Sequence, residues 1–177
     1  MVTVSAAPRS DPAQHSRARR AIARVVDPEM PMLTLDDLGV IRGVEVDGDA
    51  VTVTITPTYS GCPAIEVMRD DLRAELTDAG FTAVDVRTVL SPAWSTDWIS
   101  AEGRRTLAEH GIAPPDHLGP RTAGPIPLTL NAPSAVVRCP RCDSPATSEF
   151  SRFGPTACTA LRRCDACQEP FEHMKEI

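Results

Sequence analysis

Four cysteines at two short spacings constrain this chain more than any other feature. Cys139-Pro140-Arg141-Cys142 and Cys164-Asp165-Ala166-Cys167 each place two thiols on one tight turn, with 21 residues between the pairs. Two such turns facing each other complete a tetrahedral shell of four sulfurs, which suits zinc at Zn–S distances near ~2.3 Å. A segment of about 40 residues cannot build a sufficient apolar core alone, so a metal staple here explains how residues 134–177 fold. All four positions are filled by protein, so the metal builds scaffold and keeps no open position for hydrolysis.

Iron is the alternative occupant, in a rubredoxin-like site or a small cluster, because an all-sulfur tetrahedron also admits it. Five of the six cysteines fall between positions 139 and 167. That clustering fits metal ligands, whereas a disulfide framework spreads over the fold it staples. Cys158, six residues before Cys164, is a fifth thiol with two readings: a small buried residue, or an auxiliary ligand exchanging with a neighbour. His173 could replace a cysteine, but four already suffice.

The N-terminal segment Met1–Gln14 has no cationic region followed by an apolar core, so it reads as a disordered lead-in and not a secretory signal. Without a signal the thiols are expected to be reduced and the protein cytoplasmic. No apolar run reaches the ~18 residues a spanning helix needs, which excludes a membrane partner. The net charge is −6 and resides in residues 1–133, where 12 Lys+Arg face 18 Asp+Glu. That balance argues against nucleic acid as a main partner. The run Arg17, Arg19, Arg20 and Arg24 reads as the solvated face of a helix.

Apolar periodicity divides the remainder into an α+β unit of order α-β-β-α-β-α over residues 15–112, with a small three-stranded sheet covered by helices. The pattern predicts a helix over 15–26 and strands over 40–46 and 50–56, joined at Asp47-Gly48-Asp49, where Gly48 tolerates the turn's positive φ. A second helix carries Ile65, Met68, Leu72, Leu76 and Ala79 on one stripe. A third strand is expected over 81–89 and a third helix over 97–110. Residues 113–133 hold six prolines and read as an extended linker to the four-cysteine module at 134–177.

Cys62 stands apart from the other cysteines. With Pro63 at the first helical position, Cys62 becomes the N-cap, beside unpaired N–H groups and the positive end of the helix dipole. Both would lower its pKa and make it a nucleophile or a soft metal ligand. The competing reading is a buried structural cysteine. Asp27 and Glu29, flanking Pro28, are candidates to approach Cys62, although sequence alone does not place them. Trp94 and Trp98, four apart, read either as core or as an exposed pair for docking a partner. The four histidines are scattered, and no phosphate loop, nucleophile elbow or dinucleotide fingerprint occurs. The chain is therefore not expected to be an enzyme, and no catalytic residue is assigned.

Two sets of motifs resemble a known family. Asp27-Pro28-Glu29, Thr34-Leu35-Asp36-Asp37-Leu38-Gly39-Val40 and Thr58-Tyr59-Ser60-Gly61-Cys62-Pro63 are similar to the iron–sulfur-assembly domain family of small α+β proteins. Trp94-Ser95-Thr96-Asp97-Trp98-Ile99-Ser100, Ser151-Arg152-Phe153-Gly154-Pro155-Thr156-Ala157-Cys158 and the two cysteine pairs resemble the branch with a C-terminal zinc ribbon that serves phenylacetyl-CoA ring epoxidases. The likeness runs over about residues 17–177. It implies an accessory factor of phenylacetate catabolism that aids iron–sulfur insertion, with the oxygenase and the iron–sulfur reductase subunits as partners. Cys62 then becomes the candidate for handling transient iron or a cluster. One thiolate cannot hold a cluster alone, so a second thiol, such as Cys62 of a second copy in a homodimer, would be required. A stable structural subunit of the oxygenase and an independent thiol enzyme are the competing functions.

Overall fold

The computed structural model describes residues 11–59, 61–117 and 136–176. It divides into two compact units, Met1–Ala93 and Trp94–Ile177. In the first, Asp11-Pro12 starts α1 (Pro12–Ile22): the Ala13 N–H donates to Asp11 Oδ1 at 2.9 Å, and proline occupies the first turn. The expected lead-in of residues 1–14 is thus shortened, because a carboxylate cap and a proline are enough to begin a helix; residues 1–10 lie outside the described region. Three of the four arginines in α1 and the segment after it form ion pairs, Arg17 with Asp49, Arg19 with Asp36 and Arg24 with Glu75. The Arg17 guanidinium also sits 4.4 Å from the centre of the Phe81 ring.

Strands β1 (Ile41–Asp47), β2 (Ala50–Ile55) and β3 (Ala83–Thr88) form one sheet in that order. β1 and β2 are an antiparallel hairpin, with Gly48 at φ +57° in the turn. β2 and β3 are parallel, joined by the crossover helix α2 (Ile65–Asp78). Alternation sends Val51, Val53 and Ile55 into the core, where the α2 stripe of Met68, Leu72 and Leu76 is also buried. The apolar stretch after α1 is as irregular as its sequence suggests but is not loose. Met30, Leu33, Leu35 and Leu38 are all buried, and an isolated bridge pairs Val26 with Thr34. This anchoring fixes the backbone that carries Asp27 and Glu29.

The second unit begins earlier than the cysteine spacing suggests. A 3₁₀ turn at Thr96–Trp98 is followed by α3 (Ala101–Glu109), where the sequence pattern suggests one helix. Ser100 separates them: its backbone is extended, and its hydroxyl accepts the Gly103 N–H at 2.8 Å. The chain then enters β4 (Ile112–Ala113), which pairs with β7 (Pro170–Met174) in the order β4-β7-β6-β5, with β5 at Thr147–Ser151 and β6 at Thr159–Cys164. The boundary expected at 112/113 therefore moves to 93/94. The reason is long-range pairing, Ile112 with Glu172 and Ala113 with His173, which local periodicity does not report. Arg104 braces this start by donating to the Thr96 carbonyl at 2.7 Å and to the Pro115 carbonyl. Of the expected linker, Ala113 is in β4 and residues 118–135 lie outside the described region. No helix among the described residues is long and apolar enough to cross a membrane.

Candidate functional site

The C-terminal unit brings the four predicted ligands together. The sulfur atoms of Cys139, Cys142, Cys164 and Cys167 all lie within 4.8 Å of one another. Two of the separations are 3.7 Å (Cys139 to Cys167) and 3.5 Å (Cys142 to Cys164). These are far longer than a disulfide of ~2.05 Å. They match the ~3.8 Å edge of a tetrahedron with bonds of about 2.3 Å. The residues present therefore fit a closed four-sulfur metal site.

Both turns are built alike. The Asp143 N–H donates to the Cys139 carbonyl and the Gln168 N–H to the Cys164 carbonyl, each at 2.9 Å. Asp143 and Gln168, each directly after the second cysteine of its pair, take φ +58° and +65°. A left-handed residue at that point swings the chain away from the sulfurs, and its occurrence in both halves marks a repeated knuckle. Sequence reading missed these two residues because neither is glycine, the usual signal for positive φ. The quartet also shapes the packing. Cys139 and Cys164 belong to a buried cluster with Ala113, Val137 and Phe171. Four adjacent thiols do not ionise alike: the Cys167 N–H holds Cys164 down to about 6. Cys142, although favoured as thiolate by the Ser144 N–H, is pushed up to about 12 by its sulfur neighbours, Cys164 first. A bound cation supplies the charge that lets all four coordinate as thiolates.

Cys158 is buried, with its sulfur 3.1 Å from Thr156 Oγ1, and lies outside the quartet. His173 is buried too, its Nε2 3.5 Å from Glu176 Oε1, and burial lowers its pKa. Trp94 is 2% exposed, which removes it as half of an exposed docking pair. Trp98 is half-buried in the 3₁₀ turn.

In the N-terminal unit the Asp27 carboxylate is buried and accepts the N–H groups of Glu29 (2.7 Å) and Met30 (2.8 Å). Burial nevertheless outweighs both bonds and raises its pKa. Cys62 closes a turn by donating its N–H to the Tyr59 carbonyl at 3.0 Å. It is not the cap of α2. That position belongs to Ala64, which has no side-chain cap bond. Cys62 therefore precedes the helix by two more residues than the position of Pro63 suggests. Its sulfur still meets the N–H groups of Ala64 and Ile65, as a site at a helix start should.

The outcome for its charge is nonetheless opposite to the expected depression. Burial pushes the Cys62 thiol up, and the carboxylates of Glu29 and Asp27 push it further, against the two N–H groups. The structure thus brings Asp27 and Glu29 within electrostatic reach of Cys62, which sequence alone does not place, and these surroundings keep the sulfur protonated. The sequence signal for thiolate was local, and the opposing effects come from residues 33 and 35 positions away.

A family model described as an iron–sulfur cluster assembly protein matches residues 16–88, and one described as a PaaD zinc beta ribbon domain matches residues 124–175. The chain is 44% identical over 88% of its length, and 89% of the relative's, to an Escherichia coli (strain K12) protein named as the D subunit of a "Putative 1,2-phenylacetyl-CoA epoxidase". It is 36% identical over 50% of its length, and 85% of the relative's, to an Fe-S protein maturation auxiliary factor of Porphyromonas gingivalis (strain ATCC BAA-308 / W83). Among solved structures, a domain of unknown function, DUF59, from Bacillus anthracis superposes with a TM-score of 0.52 and 25% identity, over 55% of this chain and 94% of that one.

Proposed function

The chain belongs to the family of phenylacetyl-CoA epoxidase D subunits, and on that premise we propose how its two sulfur sites divide the work of an accessory maturation factor. The chain aids iron–sulfur insertion into a multicomponent ring epoxidase of the cytoplasm, without catalysing a step of its own. The quartet holds a resident zinc that organises the C-terminal unit. Iron or a small cluster is cargo, and Cys62, with Asp27 and Glu29 beside it, receives it.

One observation carries the cargo assignment: a half-buried thiol that faces two backbone N–H groups while two carboxylates surround it. Alone, that field disfavours a thiolate, so the resting sulfur is protonated and resists oxidation and disulfide exchange. An arriving iron cation reverses the balance. It neutralises the carboxylate field, the thiol proton leaves to solvent, and the sulfur binds as thiolate. Binding of this kind is reversible, because one protein thiolate cannot satisfy a cluster's remaining iron positions. Those are completed by a thiol of the recipient protein or by Cys62 of a second copy.

The test is metal and sulfide analysis of anaerobically purified protein with and without Cys62→Ser, together with cluster content of the co-expressed reductase. The expected result is one zinc per chain in both proteins and an iron fraction only with Cys62. The reductase should emerge largely short of cluster in the variant. Full cluster content with Cys62→Ser would instead make the chain a structural subunit of the complex.

A further inference from the structure

We infer that the β5–β6 hairpin is a rigid display arm, carrying Phe150 and Phe153 into an apolar socket rimmed by carboxylates on another component of the epoxidase complex. This rests on the complex membership proposed above. Among the described residues β5 is the edge of its sheet and pairs only with β6. The register slips between Glu149, opposite Arg162, and Ser151, opposite Leu161, so Phe150 has no partner in the ladder. Phe150 is 60% exposed and Phe153 is 80% exposed. Two phenylalanines within four residues, both largely in water, mark an interaction site more than accident.

The segment beneath them is braced throughout. The Ser151 hydroxyl both accepts the Phe153 N–H (3.2 Å) and donates to its carbonyl (2.9 Å). The Gly154 N–H donates to the Thr159 carbonyl at 3.0 Å, and a Cβ at Gly154 would stand 2.2 Å from Thr159 Oγ1, so only glycine fits. Lys175 ties down the far side, its N–H donating to the Cys158 carbonyl at 2.9 Å and its Nζ to the Ala157 carbonyl at 2.8 Å. The buried Cys158 is part of this brace. A loop held so firmly loses little entropy on docking, which is what a preorganised arm requires.

Charge selects the partner. Residues 150–164 contain Arg152, Arg162 and Arg163 and no carboxylate, in a chain whose net charge is −6. Glu149, just before them, faces Arg152 at 4.0 Å and the largely buried Arg162 at 3.7 Å, which leaves the exposed Arg152 and Arg163 toward solvent. Lys175 lies 5.7 Å from the Phe153 ring centre, and Arg152 and Lys175 line one pocket together with Glu149 and Glu176. An aromatic pair beside cations suits an apolar pocket with an acidic rim, where aromatic anchors carry affinity and charges steer the approach. Single-stranded RNA offers rings and charge as well, but the acidity of the whole chain opposes a polyanion.

The test is calorimetric titration of the full, metal-loaded chain against the separately purified oxygenase and reductase subunits. Phe150→Ser/Phe153→Ser should weaken binding more than about tenfold, as loss of two aromatic anchors does, with metal content unchanged. Arg152→Glu should weaken it less and flatten its salt dependence. Equal binding by the native chain and the double-serine variant would overturn the arm while leaving complex membership intact. No binding by the native chain would overturn the membership and the arm together. Affinity for poly(U), or a dimer in sedimentation, that disappears in the double-serine variant would assign the surface to RNA or to a second copy, and would likewise overturn it.

Discussion

In the C-terminal unit four thiols converge from two matching turns, and two of them form part of the small buried cluster that passes for its core. In the N-terminal unit one thiol stands beside two carboxylates, above a core made of ordinary aliphatic side chains. The N-terminal unit would keep its fold without its sulfur. The cysteine module of the C-terminal one could not, because Cys139 and Cys164 serve at once as metal ligands and as packing. Ligand count separates the two roles. A closed set of four suits retention of a metal, whereas one thiol beside two carboxylates supplies too few sulfur ligands to complete a site alone.

Three experiments break or sharpen this contrast. The largest effect is expected from Cys164→Ser, which removes a ligand and a wholly buried side chain at once. Metal analysis should show the site empty, and hydrogen exchange should show β5, β6 and β7 unprotected while β1–β3 are unchanged. Site formation is worth about 10–16 kcal/mol in small zinc modules, so nothing else here can replace it. A C-terminal sheet still protected without metal would contradict the contrast.

Leu72→Ala is the converse. Leu72 is fully buried in α2, and its truncation should cost the N-terminal unit about 2–5 kcal/mol, read from denaturant unfolding. Metal content should not move; coupled loss of metal would show that the two units do not stand separately.

The smallest effect concerns the field at Cys62. Its folded pKa is raised, so at pH 8 the sulfur is mostly protonated. Glu29→Gln removes one negative charge, lowers that pKa and should speed alkylation at pH 8 by about two- to threefold. An unchanged rate would place Glu29 outside the field. By linkage, the fold favours the neutral thiol, so the contribution of Cys62 to stability is present below the ordinary thiol range and is lost as pH rises above it.

What could be read from the sequence follows the range of the interactions. The ligand quartet was legible because two residues at a spacing of three report one turn directly. The α2 stripe was legible because helical period reports a buried face. Asp11-Pro12 was a local signal of cap and first turn that could have been used. The place of α3 and β4 was not legible, because a two-residue strand is defined by its partner about 60 positions away. The same holds for the Cys62 pKa: the helix start was visible, but the depth of burial and the nearness of Glu29 and Asp27 depend on the fold. Trp94 shows the limit from the other side, since a pair spaced by four is equally a core element or a patch until burial is known.

The sheet order β4-β7-β6-β5 also separates what is local from what is not. β7 follows the other described strands in the chain, yet it sits between β4 and β6. The two cysteine turns and the β5–β6 hairpin are short-range structures, whereas the join to residues 112–113 exists only through β7. The four-sulfur site can therefore form before the sheet is complete, and one inserted strand ties it to the segment that precedes it.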